Sequence, residues 1–262
     1  MTQRIAMDIR VIVGIACLGA AAAPGAPSPT LAEKLCSAYE QVETLSCRVR
    51  MTGELDGRKA TLLSRVYYRR PDRMHVENIS PVKRRIISDG SNFYHYVEGM
   101  ARGFSAPLDK LEGEWAIQQK SVPGSAMEHL LRLKGVPETP LNGTDKYPVR
   151  RGYAHEKAFV VLSCDTEGRL ARIEFFKSSE MTVKTAQIEY EDFQKVSDTC
   201  WLARIQKGGA AFGGNVACGT RRFDNMVVNK SISDSLFDAG AFFKGIEFED
   251  DLEKLSGEPK NQ

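Results

Sequence analysis

The chain has 262 residues, 42% of them hydrophobic and 27% charged, enough for one large globular domain or two small ones. Lys and Arg number 36 against 34 Asp and Glu, for a net charge of +2, which excludes the strongly basic balance typical of nucleic-acid binders. No Gly/Ser-rich or Pro-rich linker divides the interior.

Arg4 and Arg10 precede the apolar run Val11 to Ala20, which passes into Ala21, Ala22, Ala23 and Pro24. This is the pattern of a secretory signal peptide over residues 1–23. Ala20 and Ala22 offer the small residues three and one before a cut, and Pro24 argues against cleavage directly after Ala23. Starting at Met7 gives a shorter signal with Arg10 as its basic residue. The run falls short of the ~20 residues that span a bilayer. Lipid anchoring through Gly14-Ile15-Ala16-Cys17 leaves only Val11 to Ile15 as apolar core and is the minor reading. One domain is expected over residues 28–248, followed by a polar, disordered tail over 249–262.

From Thr30 to about Val42, Leu31, Leu35, Ala38, Tyr39 and Val42 recur at helical spacing, with Thr30 and Glu33 placed as a capping box. Strand alternation follows. Leu45, Cys47, Val49, Met51 and Leu55 interleave with polar residues, and Asp56-Gly57 supplies the positive-φ pair of a type I′ hairpin. With Leu55 opposite Arg58, Met51 falls opposite Leu62, Val49 opposite Ser64, Cys47 opposite Val66 and Leu45 opposite Tyr68, so the apolar faces coincide. The second strand ends on Arg70, before Pro71. Met74 and Val76 lie on the next strand, and a turn through Ser88-Asp89-Gly90 places Ile86 opposite Phe93. The apolar pattern then breaks at Pro107, Pro123 and Gly124, around a second short helix. Ser125 caps it, Met127, Leu130 and Leu131 share its face, and Gly135 stops it. Strands resume over Ala158 to Cys164, Arg169 to Phe176, Thr182 to Tyr190, Trp201 to Lys207 and Val216 to Val228, about ten or eleven in all. Sequential hairpins make this a mainly β (α+β) fold, a curled antiparallel sheet.

Export makes the cysteines worth counting. Cys36, Cys47, Cys164, Cys200 and Cys218 remain after processing, in a compartment that permits disulfides. Cys36 with Cys47 would pin helix to sheet, and Cys200 with Cys218 flank the Gly-rich hairpin 208–214; equally, these are small buried hydrophobes.

The run Tyr68-Arg69-Arg70-Pro71-Asp72-Arg73-Met74-His75-Val76, followed by Ile86-Ile87-Ser88-Asp89-Gly90-Ser91-Asn92-Phe93-Tyr94-His95-Tyr96, resembles the LolA family of periplasmic lipoprotein carriers. Asn229 to Phe237 is similar to that family's closing segment. Three features depart from it: Phe93-Tyr94 stands for the usual Leu-Trp, the Pro after the next Tyr is absent, and Ala239-Gly240-Ala241-Phe242-Phe243 replaces a Pro-Pro tail. The resemblance implies an incomplete antiparallel barrel with helices over an open, apolar concave face. It also implies a periplasmic location and a monomer that binds acylated lipoproteins or lipids, moving them from an inner-membrane donor to an outer-membrane acceptor without chemistry. An RseB-like sensor or interaction module is the alternative.

The expected lipid cavity is the inward row Leu62, Val66, Tyr68, Met74, Val76, Ile86 and Phe93, because two short helices supply too little apolar surface to fill so large a concavity. Arg70, ending that row, either snorkels to the rim or holds a partner across the cavity. In the LolA-like family the arginine of this motif bonds to a lid helix and keeps the empty cavity closed; by position the lid here is Ser125 to Lys134. No catalytic, cofactor or metal site is expected. Gly-x-Ser-x-Gly, His-Glu-x-x-His and phosphate-loop patterns are missing. The expected turns put His95 beside Arg84 and Arg84 near Ile79, four residues from His75, too far to share a metal. His129 and His155 have no ligand spacing. The run Lys83 to Arg85 reads as a solvated face.

Overall fold

The computed structural model describes residues 28–55, 58–212 and 215–250. The expected signal peptide, the expected hairpin turn at Asp56-Gly57 and residues 251–262 of the expected tail lie outside them.

The first element is α1 (Leu31–Tyr39), whose capping box is present in full: Glu33 N donates to Thr30 Oγ1 at 3.3 Å and Thr30 N to Glu33 Oε2 at 2.9 Å. The helix stops before Val42, which is nevertheless fully buried. Six strands follow: β1 (Thr44–Leu55), β2 (Arg58–Arg69), β3 (Arg73–Ser80), β4 (Arg84–Asp89), β5 (Asn92–Val97) and β6 (Arg102–Pro107). Then come α2 (Gly113–Lys120) and α3 (Met127–Leu130), the latter extended by a 3-10 turn over Leu131–Leu133. A second meander comprises β7 (Glu138–Leu141), β8 (Val149–His155), β9 (Ala158–Cys164), β10 (Leu170–Phe176), β11 (Lys184–Lys195), β12 (Trp201–Phe212) and β13 (Asn215–Val228). The chain closes with α4 (Ala239–Phe242) and β14 (Glu247–Glu249).

Among the described residues there are fourteen strands in one open sheet, ordered β14-β6-β5-β4-β3-β2-β1-β13-β12-β11-β10-β9-β8-β7. The fold class is the expected one, a mainly β, incomplete barrel with helices on its concave face. All neighbours run antiparallel except β14, which pairs parallel with β6. The β1/β2 register agrees with expectation at every pair, from Leu55 opposite Arg58 to Leu45 opposite Tyr68.

Across β4 and β5 the register differs by two residues. Ser88, not Ile86, faces Phe93, and Ile86 faces His95. The cause is Asp89, whose Oδ1 accepts from the backbone N–H groups of Ser91 and Asn92, both at 2.8 Å. The strand therefore continues through Asp89, and Gly90, at φ 102°, makes the turn. A shift of two preserves the side of each residue, so Ile86 and Phe93 still share the concave face, packed with Phe104. Arg84 pairs with Asn78 on β3, the neighbour of Ile79. His75 and His95 are on opposite faces of the sheet: His75 opposes Ile87 and packs its ring edge-on against Phe242, whereas His95 opposes Ile86 and lies 5.5 Å from the Trp115 ring of α2.

The segment after β13 straps the convex face. Arg69 bonds to Asp234 and to the Ile232 carbonyl and lies over the Phe237 ring, while Arg73 reaches Asp234 at 3.1 Å. Beyond it, Phe243 and Phe248 pack on Tyr94, and Glu249 of β14 accepts from Arg102. Glu249, placed in the polar tail by composition, is thus the last residue of a strand.

Burial and a neighbouring guanidinium, Arg85 for His75 and Arg84 for His95, push both imidazoles below their ordinary value, His95 to about 4. The unfolded chain takes up both protons near pH 6.5, whereas in the folded chain His95 is not protonated until about 4 and His75 is held below its ordinary value. Stability is therefore expected to fall as pH drops from about 6.5 towards 4. Urea midpoints across that range check it, and the double variant His75→Phe/His95→Phe should flatten the slope. An unchanged slope in that variant counts against the assignment.

Candidate functional site

The helices are distributed unevenly over the concave face. The half built from β1 to β5 is packed shut: Val66, Tyr68 and Met74 are buried in one cluster with Tyr39 of α1 and Met127 and Leu130 of α3. Ile86 and Phe93 are buried under α2, with the Phe93 and Trp115 rings 5.0 Å apart. Val76 bridges the two clusters and Leu62 is half-buried. All seven residues of the expected cavity row thus lie on the concave face, but six of them pack into core, Leu62 staying half-buried, and of the row Tyr68 alone lines either of the two concave clefts. For Ile86 and Phe93 the reason is helix α2. Its Trp115, on a segment with no clear apolar stripe, supplies surface that the sequence reading did not count.

Arg70 stands at the mouth of a 480 Å³ cleft lined by Tyr68, Ile117, Lys120, Val122, Met127 and Leu131, among others. Its Nη1 donates to the Glu40 carbonyl, at the C-terminal end of α1. That carbonyl closes α1, whereas the expectation placed the partner on the helix over Ser125 to Lys134. A cation at a helix C-terminus is favoured by the helix dipole, and α3 reaches the same cleft from the other side through Met127 and Leu131.

The larger opening, 690 Å³, lies over the second meander. Val160, Phe175, Ala186 and Ile188 form its apolar lining, and His129, Arg132, His155 and Lys157 stand around it. Gly53, Gly219 and Gly208 are consecutive cross-strand partners on β1, β13 and β12, so no side chain rises from that part of the floor. A Cβ added at Gly208 would make ordinary van der Waals contact, 3.7 Å from the Gln187 carbonyl oxygen and 3.8 Å from Ile188 Cγ1, so a side chain can be accommodated there.

Helix α3 forms the boundary between the closed and open halves, and polar contacts fasten it to the sheet. Ala203 N donates to the Gly124 carbonyl at 2.9 Å, and Gln206 Nε2 donates to the Ser125 carbonyl at 3.0 Å in a buried position. Arg221 lies 3.6 Å from Glu128, and Arg132 bonds to Glu114 of α2. Burial raises the Glu128 carboxyl, but the His129 imidazole and the Arg221 and Arg132 guanidiniums outweigh it and hold it at about 2. Glu128 is therefore charged at neutral pH. The sequence reading missed Gln206, Arg221 and Glu128; only the inward parity of Gln206 and Arg221 on their strands marked them.

All five described cysteines are free thiols. Burial pushes Cys36 and Cys200 up to about 11 and Cys47 and Cys164 up to about 12, which makes them inert hydrophobes rather than nucleophiles. Cys218 cannot reach Cys200. It pairs with Gly209, so the two are separated along β12 by roughly 30 Å at about 3.3 Å per residue. Among the described residues no helix is long and apolar enough to cross a membrane.

No family model matches this chain, and no curated protein matches it either. Solved structures do. A putative outer membrane lipoprotein-sorting protein domain from Vibrio parahaemolyticus aligns with TM-score 0.52 at 13% identity, over 80% of this chain and 98% of its own. A DUF1329 family protein from Desulfovibrio piger gives 0.51 at 9% identity over 80% and 97%. The LolA superfamily protein NE2245 from Nitrosomonas europaea gives 0.49 at 14% identity over 80% and 97%. At these identities the likeness is one of fold, and this chain shares with the Vibrio lipoprotein-sorting domain an open sheet with helices across its concave face.

Proposed function

We propose that the protein is a periplasmic carrier that takes the acyl chains of lipoproteins or lipids onto its concave face and passes them on by binding and release, without chemistry. The observation that carries this reading is the 690 Å³ apolar opening beside α3, a size within the range of small-molecule and lipid sites. Each CH₂ taken out of water contributes about 0.8 kcal/mol, so uptake is strongly favoured and release is the controlled step. Helix α3 is the element suited to that control, since Gln206 and Arg221 fasten it on one side of the opening. Arg70 secures the neighbouring end of α1. The inner-membrane donor and outer-membrane acceptor belong to this proposal as the expected partners.

Native mass spectrometry of the mature chain from its own periplasm, with organic extraction, should find acylated lipoprotein or lipid bound. An empty protein held by a membrane partner would instead favour a sensor. Gly208→Leu places a side chain in the open floor without displacing backbone, and should lower loading of a fluorescent long-chain fatty acid several-fold; loading at the parental level would remove the trough from the mechanism.

Gln206→Leu deletes one buried hydrogen bond to the lid, worth about 1 kcal/mol, and should speed loading about fivefold. Arg70→Leu should still load cargo yet hinder its hand-over, measured as transfer of lipoprotein to acceptor membranes. Transfer at the parental rate counts against that role.

A further inference from the structure

The convex face of β1, β2 and β13 carries guanidinium groups that the fold does not use. Arg50 stands directly opposite Arg222 across β1 and β13, and Arg48 stands between Arg65 of β2 and Asp224 of β13. Directly opposed residues hold their Cβ atoms roughly 5 Å apart, where like charges repel. Glu77 neutralises Arg65 at 3.2 Å. Among the described residues Arg48, Arg50 and Arg222 have no carboxylate within ion-pairing distance, and all three are exposed. Their neighbours Cys47, Val49 and Phe223 fill the concave side, so the arginines are not there to pack a core.

The surface around them is recessed and partly apolar. A 360 Å³ cleft is lined by Arg48, Arg50, Leu63, Arg65, Ile79, Asp224 and Asn225, among others, and Leu63 and Ile79 are 36% and 41% exposed. It shares Asp224 and Asn225 with a further 360 Å³ cleft that reaches Arg222. It also shares Arg65 and Ile79 with a 400 Å³ cleft that reaches Lys83 and Phe242. The three form one groove across the strands, on the face opposite the proposed cargo trough.

We propose that this groove docks an extended acidic segment of a partner protein, whose carboxylates pair with Arg48, Arg50 and Arg222 and whose apolar side chains cover Leu63 and Ile79. A guanidinium presents two parallel donors to a carboxylate, and an anion placed between opposed arginines converts their repulsion into attraction. A polypeptide fits better than a bilayer because Leu63 and Ile79 line a recess, whereas insertion into lipid needs apolar groups that project. Docking here leaves the concave face free, so partner and cargo can be held together.

Fluorescence anisotropy of a fluorescein-labelled oligoglutamate peptide, titrated with the intact chain, tests this. Sedimentation with phosphatidylcholine vesicles, with and without phosphatidylglycerol, runs beside it. The triple variant Arg48→Glu/Arg50→Glu/Arg222→Glu should weaken peptide affinity about tenfold or more. Lys110→Glu/Lys177→Glu/Lys230→Glu, an equal change of charge at exposed positions elsewhere, should leave it within about twofold. Circular dichroism confirms that both variants are folded. Failure of the parent to bind the peptide, equal losses in both variants, or arginine-dependent binding of phosphatidylglycerol vesicles in place of the peptide would each overturn the proposal.

Discussion

The architecture rests on the pairing of β1 with β13. Each meander is built from neighbours in sequence, but only this antiparallel ladder, from Leu45 opposite Val228 to Glu54 opposite Cys218, makes a single sheet of them. Asn229 secures its end, with Oδ1 accepting from Glu43 N at 2.9 Å and Nδ2 donating to the Gln41 carbonyl at 3.1 Å. Helix α1 leads into β1 and then has a floor to cross. Its N-terminus is received at the far edge of the sheet, where Glu138 accepts from Leu31 N at 2.7 Å and Tyr153 Oη accepts from Ala32 N at 3.1 Å. Carboxylate and phenol satisfy amides that a helix leaves unpaired, beside the positive end of its dipole. One helix thereby ties the first meander to the first strands of the second, β7 and β8, and the remaining helices fill one side of it and leave the other open.

What was legible in the sequence follows from the range of the interactions. The β1/β2 hairpin could be read residue by residue because a two-residue turn and two alternating faces specify the same register independently. At β4 and β5 a single carboxylate, Asp89, chose between two turns of equal parity, so the faces survived and the pairs moved. Strands β7 and β8 escaped notice for local reasons. Pro140 interrupts β7, which only an edge strand tolerates, and β8 carries Arg150 and Arg151 together with Gly152, where a side chain would strike Phe159. Helix α2 was missed because Gly113 to Lys120 has no continuous apolar stripe.

The candidate site was less legible than the fold. Its expected residues were placed on the correct face, yet the face is closed over them and open elsewhere. The contacts that decide this join distant parts of the chain, such as Gln206 to Ser125 and Arg132 to Glu114. The glycine floor is of the same kind. Gly53, Gly208 and Gly219 are unremarkable singly and become a surface only when three strands align them.

An open sheet also has two free margins, and such margins can template the addition of another chain's strand. On one side β7 spans Glu138–Leu141 and includes Pro140, which has no amide hydrogen to offer a newcomer. On the other, β14 ends the sheet as Glu247–Glu249, with both glutamates engaged by Arg102. Among the described residues each rim is short and either proline-blocked or charged, so the sheet can stay unclosed without growing into fibres of like molecules.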